Sequence, residues 1–422
     1  MEEKYLIPNA ELEGWRNPKG LSLYSSRSPK GIDLNPDGGI IFELCNGKKT
    51  ISDIIKILQN RKNLTNEDIE KVRKFIYNLV NMGLLYYIEK PVEKELSIPI
   101  TGEYEFFHPI HCTIELCDIC NLRCSYCYRE SSPLKKKFLK NPIEFLTNLY
   151  KRGIRGVELS GGEPLLHPQI YEILEYSCRT FTRVALLTNG LLLSKDILKL
   201  VEPFRKKFSL QVSIPSLRRN KFLRITGVDV LDVVLTNLHQ IKEYNIGFRI
   251  VNVLQDEESI EEISEFAHLA KSIGAFQFVS MPFLNFGRAK SLFFSHKGIS
   301  AYNRQIEILR YEFPPGFLGL IESEYPDPHK NNCGAGSQSL VFDPEGKPRP
   351  CPFAPLEFTS SAYNKKEFRN KIAQVISPRE TICGNCEWLL YCKGCIIRGW
   401  FKFKEIKCQW GVVQKIEDIF GK

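Results

Sequence analysis

The chain has 422 residues, of which 43% are hydrophobic and 25% are charged. This length predicts two or three domains of ordinary globular composition, each able to bury a core. No apolar run approaches the roughly 18 residues that a membrane span needs, and the first residues lack the order of a signal peptide, so we expect a cytoplasmic protein.

The net charge of +9 is compatible with nucleic-acid binding, but Lys and Arg are scattered and form no basic patch with interleaved aromatic residues. An acidic peptide partner fits this charge equally well, and a solvated surface is its commonest explanation. The 14 cysteines of this large intracellular chain indicate metal or redox chemistry rather than disulfides.

Residues 1–90 are predicted to form a small winged-helix-like α+β module. Apolar spacing changes there from strand period to helix period and back. The predicted elements are strands at 21–24 and 31–34, a helix through Ile40 and Leu44, a helix capped by Thr50, a helix capped by Thr65 and ended by Gly83, and a strand at 84–88.

Two functions are considered for this module, DNA binding and the recognition of a peptide. A DNA-reading helix needs an exposed face rich in basic and amide side chains. The third helix instead mixes both charge signs along 67–74. Segments 32–47 and 81–85 resemble the PqqD-like peptide-recognition element, which implies binding of the leader of a ribosomally made precursor peptide. The leader would add a strand at a sheet edge and place its apolar side chains beside the third helix.

Residues 91–109, with Pro91 and Pro99, are predicted to be a linker. Residues 110–290 then alternate strands and helices, which predicts an α/β fold with a parallel sheet. Six such units suit a partial (β/α)6 TIM-like barrel with its active site at the carboxyl ends of the strands. The predicted strands are 111–116, 156–160, 183–188, 209–214, 248–254 and 276–281.

The loop after the first of these strands carries Cys120, Cys124 and Cys127 in the spacing C-x3-C-x2-C. Three thiolates on a short loop can hold three corners of a cubane iron-sulfur cluster and leave one iron open. Structural zinc prefers four protein ligands. The alternatives are half a zinc site or buried cysteines at a strand end.

This loop resembles the signature of radical S-adenosylmethionine (SAM) enzymes. The resemblance implies that the open iron binds the amino and carboxylate groups of SAM. One electron from the cluster then splits SAM into methionine and a 5′-deoxyadenosyl radical. It also implies an electron donor such as flavodoxin or ferredoxin.

Further residues at the predicted strand ends match the same family. Glycines let the backbone approach a ligand closely, and a carboxylate accepts from a cationic amine, although a simple turn would explain the glycine pair alone. By resemblance, the SAM-binding residues are Tyr126 near adenine, Gly161, Gly162, Glu163 and Pro164 at the amino group, Asn189 at the third strand end, and Ser213 and Arg224 at the carboxylate and ribose.

One departure from the family lies at Pro215-Ser216, where many relatives have Asp-Gly. We expect this change to reshape the substrate side of the site.

Residues 291–422 contain a spaced cysteine array that resembles the SPASM domain with two auxiliary 4Fe-4S clusters. Two zinc knuckles are the alternative, but they would leave three cysteines without a role. By resemblance, the first cluster takes Cys333, Cys351 and Cys395, and the second takes Cys383, Cys386, Cys392 and Cys408. One spacing of the array is a residue shorter than usual.

The first auxiliary cluster thus has three cysteine ligands. A substrate cysteine thiolate can occupy its open iron, or a local side chain such as Asp327 or His329 can close it. Pro352 stands where sulfatase-maturing relatives place an aspartate, which disfavours that chemistry. The remaining cysteines, Cys45, Cys112, Cys117 and Cys178, are interpreted mainly as core residues.

These features together predict an oxidoreductase of the radical SAM type that matures a precursor peptide, with a thioether crosslink, as in sactisynthases, as the favoured product. The alternatives are a carbon-carbon crosslink as in quinone-cofactor maturases, tetrapyrrole oxidation, and an iron-sulfur regulator that binds DNA. Membrane and nucleic-acid partners are not expected.

Overall fold

The computed structural model describes residues 4–25, 28–105, 109–283, 286–292, 295–319 and 339–352. The chain divides into two compact units, Met1–His108 and Pro109–Lys422. The cysteine array lies outside the described residues except for Cys351.

The first unit combines three helices with two small sheets. Strands β1 and β5 pair antiparallel, and a four-stranded sheet has the order β4-β3-β2-β6. The elements are β1 Tyr5–Pro8, β2 Leu12–Asn17, β3 Gly20–Ser25, β4 Ser28–Leu34, α1 Pro36–Leu44, α2 Ile51–Arg61, α3 Asn66–Asn81, β5 Leu85–Ile88 and β6 Ile100–Gly102. Strand β6 lies within the predicted linker and pairs with β2, so part of that segment belongs to the sheet.

Capping chemistry sets the helix starts, as predicted. Thr50 accepts a hydrogen bond from the backbone of Asp53, whose carboxylate accepts one from the backbone of Thr50 in return. Thr65 and Asp68 form the same capping box at α3. These reciprocal bonds satisfy N–H groups that a helix start leaves free. Gly83 follows α3 with a φ of +70°, which glycine adopts without strain.

The apolar faces of the helices form the core of the first unit. Ile54, Ile76 and Leu85 have no exposed surface, and Cys45 is also buried, as predicted. Strand β4 lies at one edge of the four-stranded sheet. Ile32 on that strand and Phe75 on α3 are only partly buried against this core.

The second unit contains a nine-stranded, mostly parallel sheet, and the predicted α/β fold is confirmed. Its elements are β7 His111–Glu115, α4 Pro142–Lys151, β8 Gly156–Ser160, α5 Ile170–Thr180, β9 Arg183–Thr188, α6 Lys195–Val201, β10 Phe208–Ser213, α7 Arg219–Thr226, α8 Leu231–Glu243, β11 Gly247–Leu254, α9 Glu262–Ser272, β12 Gln277–Pro282, α10 His296–Glu312, β13 Leu318–Gly319, β14 Ser339–Phe342 and β15 Pro348–Arg349.

The strand order is β13-β12-β11-β10-β9-β8-β7-β14-β15. The six predicted strands are therefore neighbours in chain order, and every pair among them is parallel. Their carboxyl ends meet at one edge of the sheet, which is where an α/β sheet of this kind presents its functional loops. Two short strands that the sequence analysis missed, β13 and β14, extend the parallel sheet at either end.

Helices pack on this sheet through a continuous apolar core. Ile114, Leu186 and Val212 on the strands have no exposed surface, and Cys112 and Cys178 are buried among them, as predicted. Within the described part of the chain, no helix has both the length and the apolar character that a membrane crossing requires.

Candidate active site

The three cysteines of the C-x3-C-x2-C motif lie on the loop between β7 and α4. Cys120 is buried, and Cys124 and Cys127 are half-buried. Burial raises the pKa of Cys120 and of Cys124 to about 12, and the charge of Cys127 adds to both shifts. The three sulfurs therefore lie near one another in a place that disfavours three free thiolates, so a cationic partner is needed to ionise them together.

The donor set fits an iron-sulfur cluster. In the described part of the chain, no three His, Cys, Asp or Glu side chains converge closely enough to hold a single metal ion. A cubane offers a different iron to each thiolate, so its ligands surround the cluster and do not meet at one atom. Three neighbouring thiols, with no fourth ligand beside them among the described residues, therefore suit a cubane better than structural zinc.

The end of helix α7 supports one side of the cysteine loop. The backbone N–H of Arg123 donates to the carbonyl of Thr226 at 2.8 Å, and that of Ser125 donates to Ile225 at 2.9 Å. A helix end leaves carbonyl groups without partners, and the loop supplies donors to two of the last residues of α7.

Two side chains from distant parts of the chain fix the other side of the loop. Arg288 donates from Nε to the carbonyl of Cys124 at 2.7 Å and from Nη2 to that of Ser131 at 2.9 Å. The Ser125 hydroxyl donates to Oε1 of buried Gln255 at 2.9 Å. These charge-assisted and neutral bonds hold the loop in one conformation before any cofactor binds.

Gly161 and Gly162 pack directly against the beginning of the cysteine loop. The N–H of Gly162 donates to the carbonyl of Cys117 at 2.7 Å. A Cβ on Gly162 would lie 2.0 Å from the carbonyl oxygen of Ile119, and one on Gly161, whose φ is +146°, would lie 2.6 Å from that of Cys117. The sequence predicts that these glycines approach a ligand closely. In the structure they approach the backbone of the cysteine loop.

Glu163 is completely buried at the carboxyl end of β8. Its carboxylate accepts from the Thr188 hydroxyl at 2.7 Å, from the backbone of Asn189 at 2.9 Å and from that of Leu165 at 3.2 Å. Burial raises the pKa of Glu163 to about 7, and these hydrogen bonds oppose that shift only in part. The carboxylate therefore joins the ends of β8 and β9; its predicted bond to the amino group of SAM would be additional.

Asn189 connects the third strand end to the cysteine loop. Its Nδ2 donates to Oδ1 of Asn121 at 2.7 Å and lies 3.8 Å from the sulfur of Cys120. The ring of Tyr126, two residues beyond Cys124, packs against the core of the second unit. Both residues thus lie beside the three cysteines, and their roles in SAM binding stay a prediction.

Ser213 and Arg224, which are predicted to bind the carboxylate and ribose of SAM, differ in their exposure to solvent. Ser213 is half-buried and ends β10. Arg224 lies on α7 with 66% of its side chain exposed, and its guanidinium is 3.9 Å from the carboxylate of Asp256. A loose, exposed ion pair holds an arginine weakly, so Arg224 is free to turn toward a ligand.

The Pro215-Ser216 departure has a structural consequence. The buried Ser216 hydroxyl donates to the Glu262 carboxylate at 2.7 Å, and the N–H of Leu217 donates to the same oxygen at 2.7 Å. Buried Lys221 on α7 lies 3.3 Å from the other Glu262 oxygen. Ser216 therefore helps to anchor the segment that leads into α7, and α7 in turn supports the cysteine loop.

Cys351, the one described member of the cysteine array, is linked to the same region. It follows β15, where Arg349 donates to the buried carboxylate of Glu115 at 2.6 Å. Tyr128 donates to that carboxylate at 3.3 Å. Burial raises the pKa of Tyr128, and the charges of Cys127 and Cys351 both contribute, so both sulfurs lie in the neighbourhood of this tyrosine.

A known protein family matches part of each unit. Residues 114–270 match the Radical SAM superfamily, and residues 20–85 match the family of coenzyme PQQ synthesis protein D (PqqD). The chain combines a radical SAM domain with a PqqD domain. It is an enzyme of the radical SAM type.

Two curated relatives cover different shares of this radical SAM enzyme. The antilisterial bacteriocin subtilosin biosynthesis protein AlbA of Bacillus subtilis is 28% identical over 412 residues, which span 92% of this chain and 90% of AlbA. A probable GTP 3′,8-cyclase of Metallosphaera sedula is 26% identical over 259 residues, which span 56% of this chain and 79% of the cyclase.

Among solved structures, Streptococcus suis SuiB bound to S-adenosylmethionine has a TM-score of 0.64 at 16% identity and covers 96% of this chain and 100% of SuiB. SuiB bound to its precursor peptide SuiA has a TM-score of 0.62 at the same identity, and 96% of this chain and 100% of SuiB are covered. At this identity the likeness concerns the fold of the radical SAM enzyme.

Several residues that build the site were not found from the sequence. Asn121 and Thr188 lie inside motifs that were recognised, but their side chains carried no separate signal. Gln255 and Arg288 lie 130 and 164 positions from their loop partners. Their roles arise from tertiary packing in the radical SAM domain, and a single sequence offers no pattern for them.

Substitution of Gly162 by Ala should disrupt the cysteine loop of the radical SAM domain. Because the added Cβ would meet backbone atoms of Ile119 that cannot turn away, we expect a destabilisation of about 1–3 kcal/mol and reduced iron content after reconstitution. Gly247→Ala is the matched control, because its Cβ would meet only the Phe276 ring at 3.6 Å. Equal iron content in the two variants would contradict this packing role.

Proposed function

We propose that this radical SAM enzyme modifies a ribosomally synthesised precursor peptide and forms a thioether crosslink in it. The observation that carries the proposal is the presence, in one chain, of a buried three-cysteine loop at the carboxyl edge of a parallel sheet and a PqqD domain. The first supplies radical chemistry, and the second has no use in a reaction on a small molecule.

Cys120, Cys124 and Cys127 would hold the SAM-binding 4Fe-4S cluster. When bound, this cluster and SAM supply a 5′-deoxyadenosyl radical that removes a hydrogen atom from the peptide. The protein contributes the position of the sulfurs, which the bonds from Arg288 and Gln255 to the loop determine.

Further residues would hold SAM at this edge of the sheet. Backbone and side-chain groups of Gly161, Gly162, Glu163 and Pro164 would meet its amino end, and Asn189 and Tyr126 would border its adenosyl part. Ser213 would bind the carboxylate or ribose. The exposed guanidinium of Arg224 can exchange its loose contact with Asp256 for a bidentate bond to the SAM carboxylate.

Two auxiliary 4Fe-4S clusters would complete a set of three, in a SPASM domain over residues 291–422. Cys351 follows Arg349, which is anchored to Glu115 beside Tyr128, and this contact supports a first auxiliary cluster near the cysteine loop. Its other proposed ligands, Cys333 and Cys395, and those of the second cluster, Cys383, Cys386, Cys392 and Cys408, lie outside the described residues.

The proposed sulfur chemistry depends on that first auxiliary cluster. A substrate cysteine bound at its open position would be held as a thiolate, beside the peptide carbon radical left by hydrogen abstraction. Formation of the carbon-sulfur bond releases one electron, which the auxiliary cluster would accept. Pro352, directly after Cys351, carries no group that accepts a proton, so the sulfatase-maturing route is disfavoured. A carbon-carbon crosslink is the alternative product.

The leader of the precursor would bind to the first unit, with residues 1–90 as the proposed recognition module and 91–109 as the connection to the barrel at 110–290. Strand β4 forms a sheet edge, and the partly buried side chains of Ile32 and Phe75 lie on β4 and on α3. An added strand would take backbone hydrogen bonds from such an edge, and apolar leader residues would bury these side chains.

The relatives support a peptide substrate. AlbA is a subtilosin biosynthesis protein that matches along 92% of this chain, and SuiB has been solved with its precursor peptide SuiA. The GTP cyclase match covers only 56% of this chain. A cytoplasmic setting with flavodoxin or ferredoxin as electron donor would suit the clusters, and the mixed charge of α3 disfavours DNA as a ligand.

The reconstituted enzyme with SAM and a reductant should produce 5′-deoxyadenosine. Cys124→Ala should abolish this cleavage, because two cysteines cannot hold the cluster, whereas Cys178→Ala, which removes a buried thiol of the barrel core, should retain it. Chromatography of the nucleoside product measures both. Absence of deoxyadenosine from the wild-type reaction would contradict the radical SAM assignment of this loop.

Phe75→Ala should weaken binding of the precursor peptide about tenfold, which corresponds to the roughly 1.4 kcal/mol expected for losing apolar contact with a leader side chain. Tyr77→Ala is the matched control. Tyr77 is on the same helix, is half-exposed and lies near Tyr87 on β5. Fluorescence anisotropy of a labelled precursor measures the affinity, and equal losses in both variants would argue against a leader site beside β4.

A further inference from the structure

Asn121 lies directly after Cys120 and has a buried amide nitrogen. Among the described residues, its Nδ2 has no hydrogen-bond partner and is shielded from solvent. An amide donor left without an acceptor in the interior is destabilising, so this atom requires a partner that the described side chains and backbone do not provide.

The hydrogen bonds of the neighbouring amide determine how Asn121 is turned. Oδ1 of Asn189 accepts from the backbone N–H of Leu191 at 3.0 Å, which leaves Nδ2 of Asn189 as the donor toward Asn121. Only an oxygen can accept that bond, so Oδ1 of Asn121 must face Asn189, at 2.7 Å. The N–H groups of Asn121 are thereby directed elsewhere, and a flipped amide would place two donors against each other.

The sulfur of Cys120 lies beside both amide groups. Oδ1 of Asn121 lies 3.8 Å from Sγ of Cys120, and Nδ2 of Asn189 is equally close to that sulfur. Nδ2 of Asn189 thus offers one N–H toward a cluster at this loop, and the buried donor of Asn121 can offer a second.

We propose that Asn121 donates a hydrogen bond from Nδ2 to a sulfur of the cluster held by Cys120, Cys124 and Cys127, and that this bond raises the reduction potential of the cluster. Reduction adds negative charge to the sulfurs, and an N–H directed at them stabilises the reduced state more than the oxidised one. Asn121 thus assists the uptake of an electron by the cluster, and Asn189 holds the amide of Asn121 in the required orientation. The inference rests on the proposed function, because it requires the cluster.

The test is a redox titration of the reconstituted full chain without SAM, followed by electron paramagnetic resonance. The SAM-binding cluster is identified separately as the signal that changes when SAM is added. Asn121→Leu should shift its midpoint potential to more negative values; a tenfold loss in the equilibrium constant for reduction equals about 59 mV for one electron.

Asn237→Leu is the matched control. This buried asparagine donates from Nδ2 to the carbonyl of Gly190 at 2.9 Å and to that of Leu191 at 3.3 Å. It therefore stabilises the loop after β9 that carries Asn189, but its donor has a backbone partner. Its substitution should leave the potential unchanged. A shift of equal size in both variants would overturn the inference, because the effect would then come from loosening the loop.

Asn121→Asp keeps the shape and the acceptor for Asn189 but removes the donor, and it serves if the leucine variant incorporates no iron. It should also lower the potential. If the Asn121 variants have the wild-type potential, the inference is overturned but the proposed function is not. A wild-type chain without any SAM-responsive signal would overturn the proposed function together with it.

Discussion

The site depends on one close contact between two pieces of backbone, the Gly161-Gly162 turn and the segment from Cys117 to Ile119. No side chain fits between them, since a Cβ on Gly162 would lie 2.0 Å from a carbonyl oxygen. This contact brings the end of β8 against the cysteine loop and places Glu163 where its carboxylate can join β8 to β9. The position of the three sulfurs follows from packing, and the cofactor adds to a loop that is already held.

Burial around that contact disfavours negative charge on the side chains that the cofactor would meet. It raises the pKa of Glu163 to about 7 and that of Cys120 to about 12. Bound iron and the cationic amine of SAM would supply the missing positive charge. A site that disfavours its free ionised side chains but suits the bound cofactor is preorganised. The packed core of the second unit holds it in this arrangement.

Much of this arrangement could be predicted from the sequence, because it depends on residues that are close together in the chain. Apolar periodicity located the six neighbouring strands of the parallel sheet, and Thr50 and Thr65 marked helix starts because a cap needs only nearby residues. The motif residues cluster since parallel strands end at one edge. Strand β6 and the roles of Gln255 and Arg288 could not be predicted, because each depends on partners far away in the chain. The glycine motif was recognised, but its partner, the loop backbone, became evident only in the structure.

The central claim is that this chain uses radical chemistry to join a cysteine sulfur to a carbon of its precursor peptide. The most direct measurement is the intact mass of the precursor after incubation with the reconstituted enzyme, SAM and reductant, followed by alkylation of free thiols. A thioether predicts the loss of a pair of hydrogen atoms per bond and one cysteine that no longer reacts with the alkylating reagent. An unchanged peptide mass while SAM is cleaved, or a lighter peptide whose cysteines all remain reactive, would contradict it.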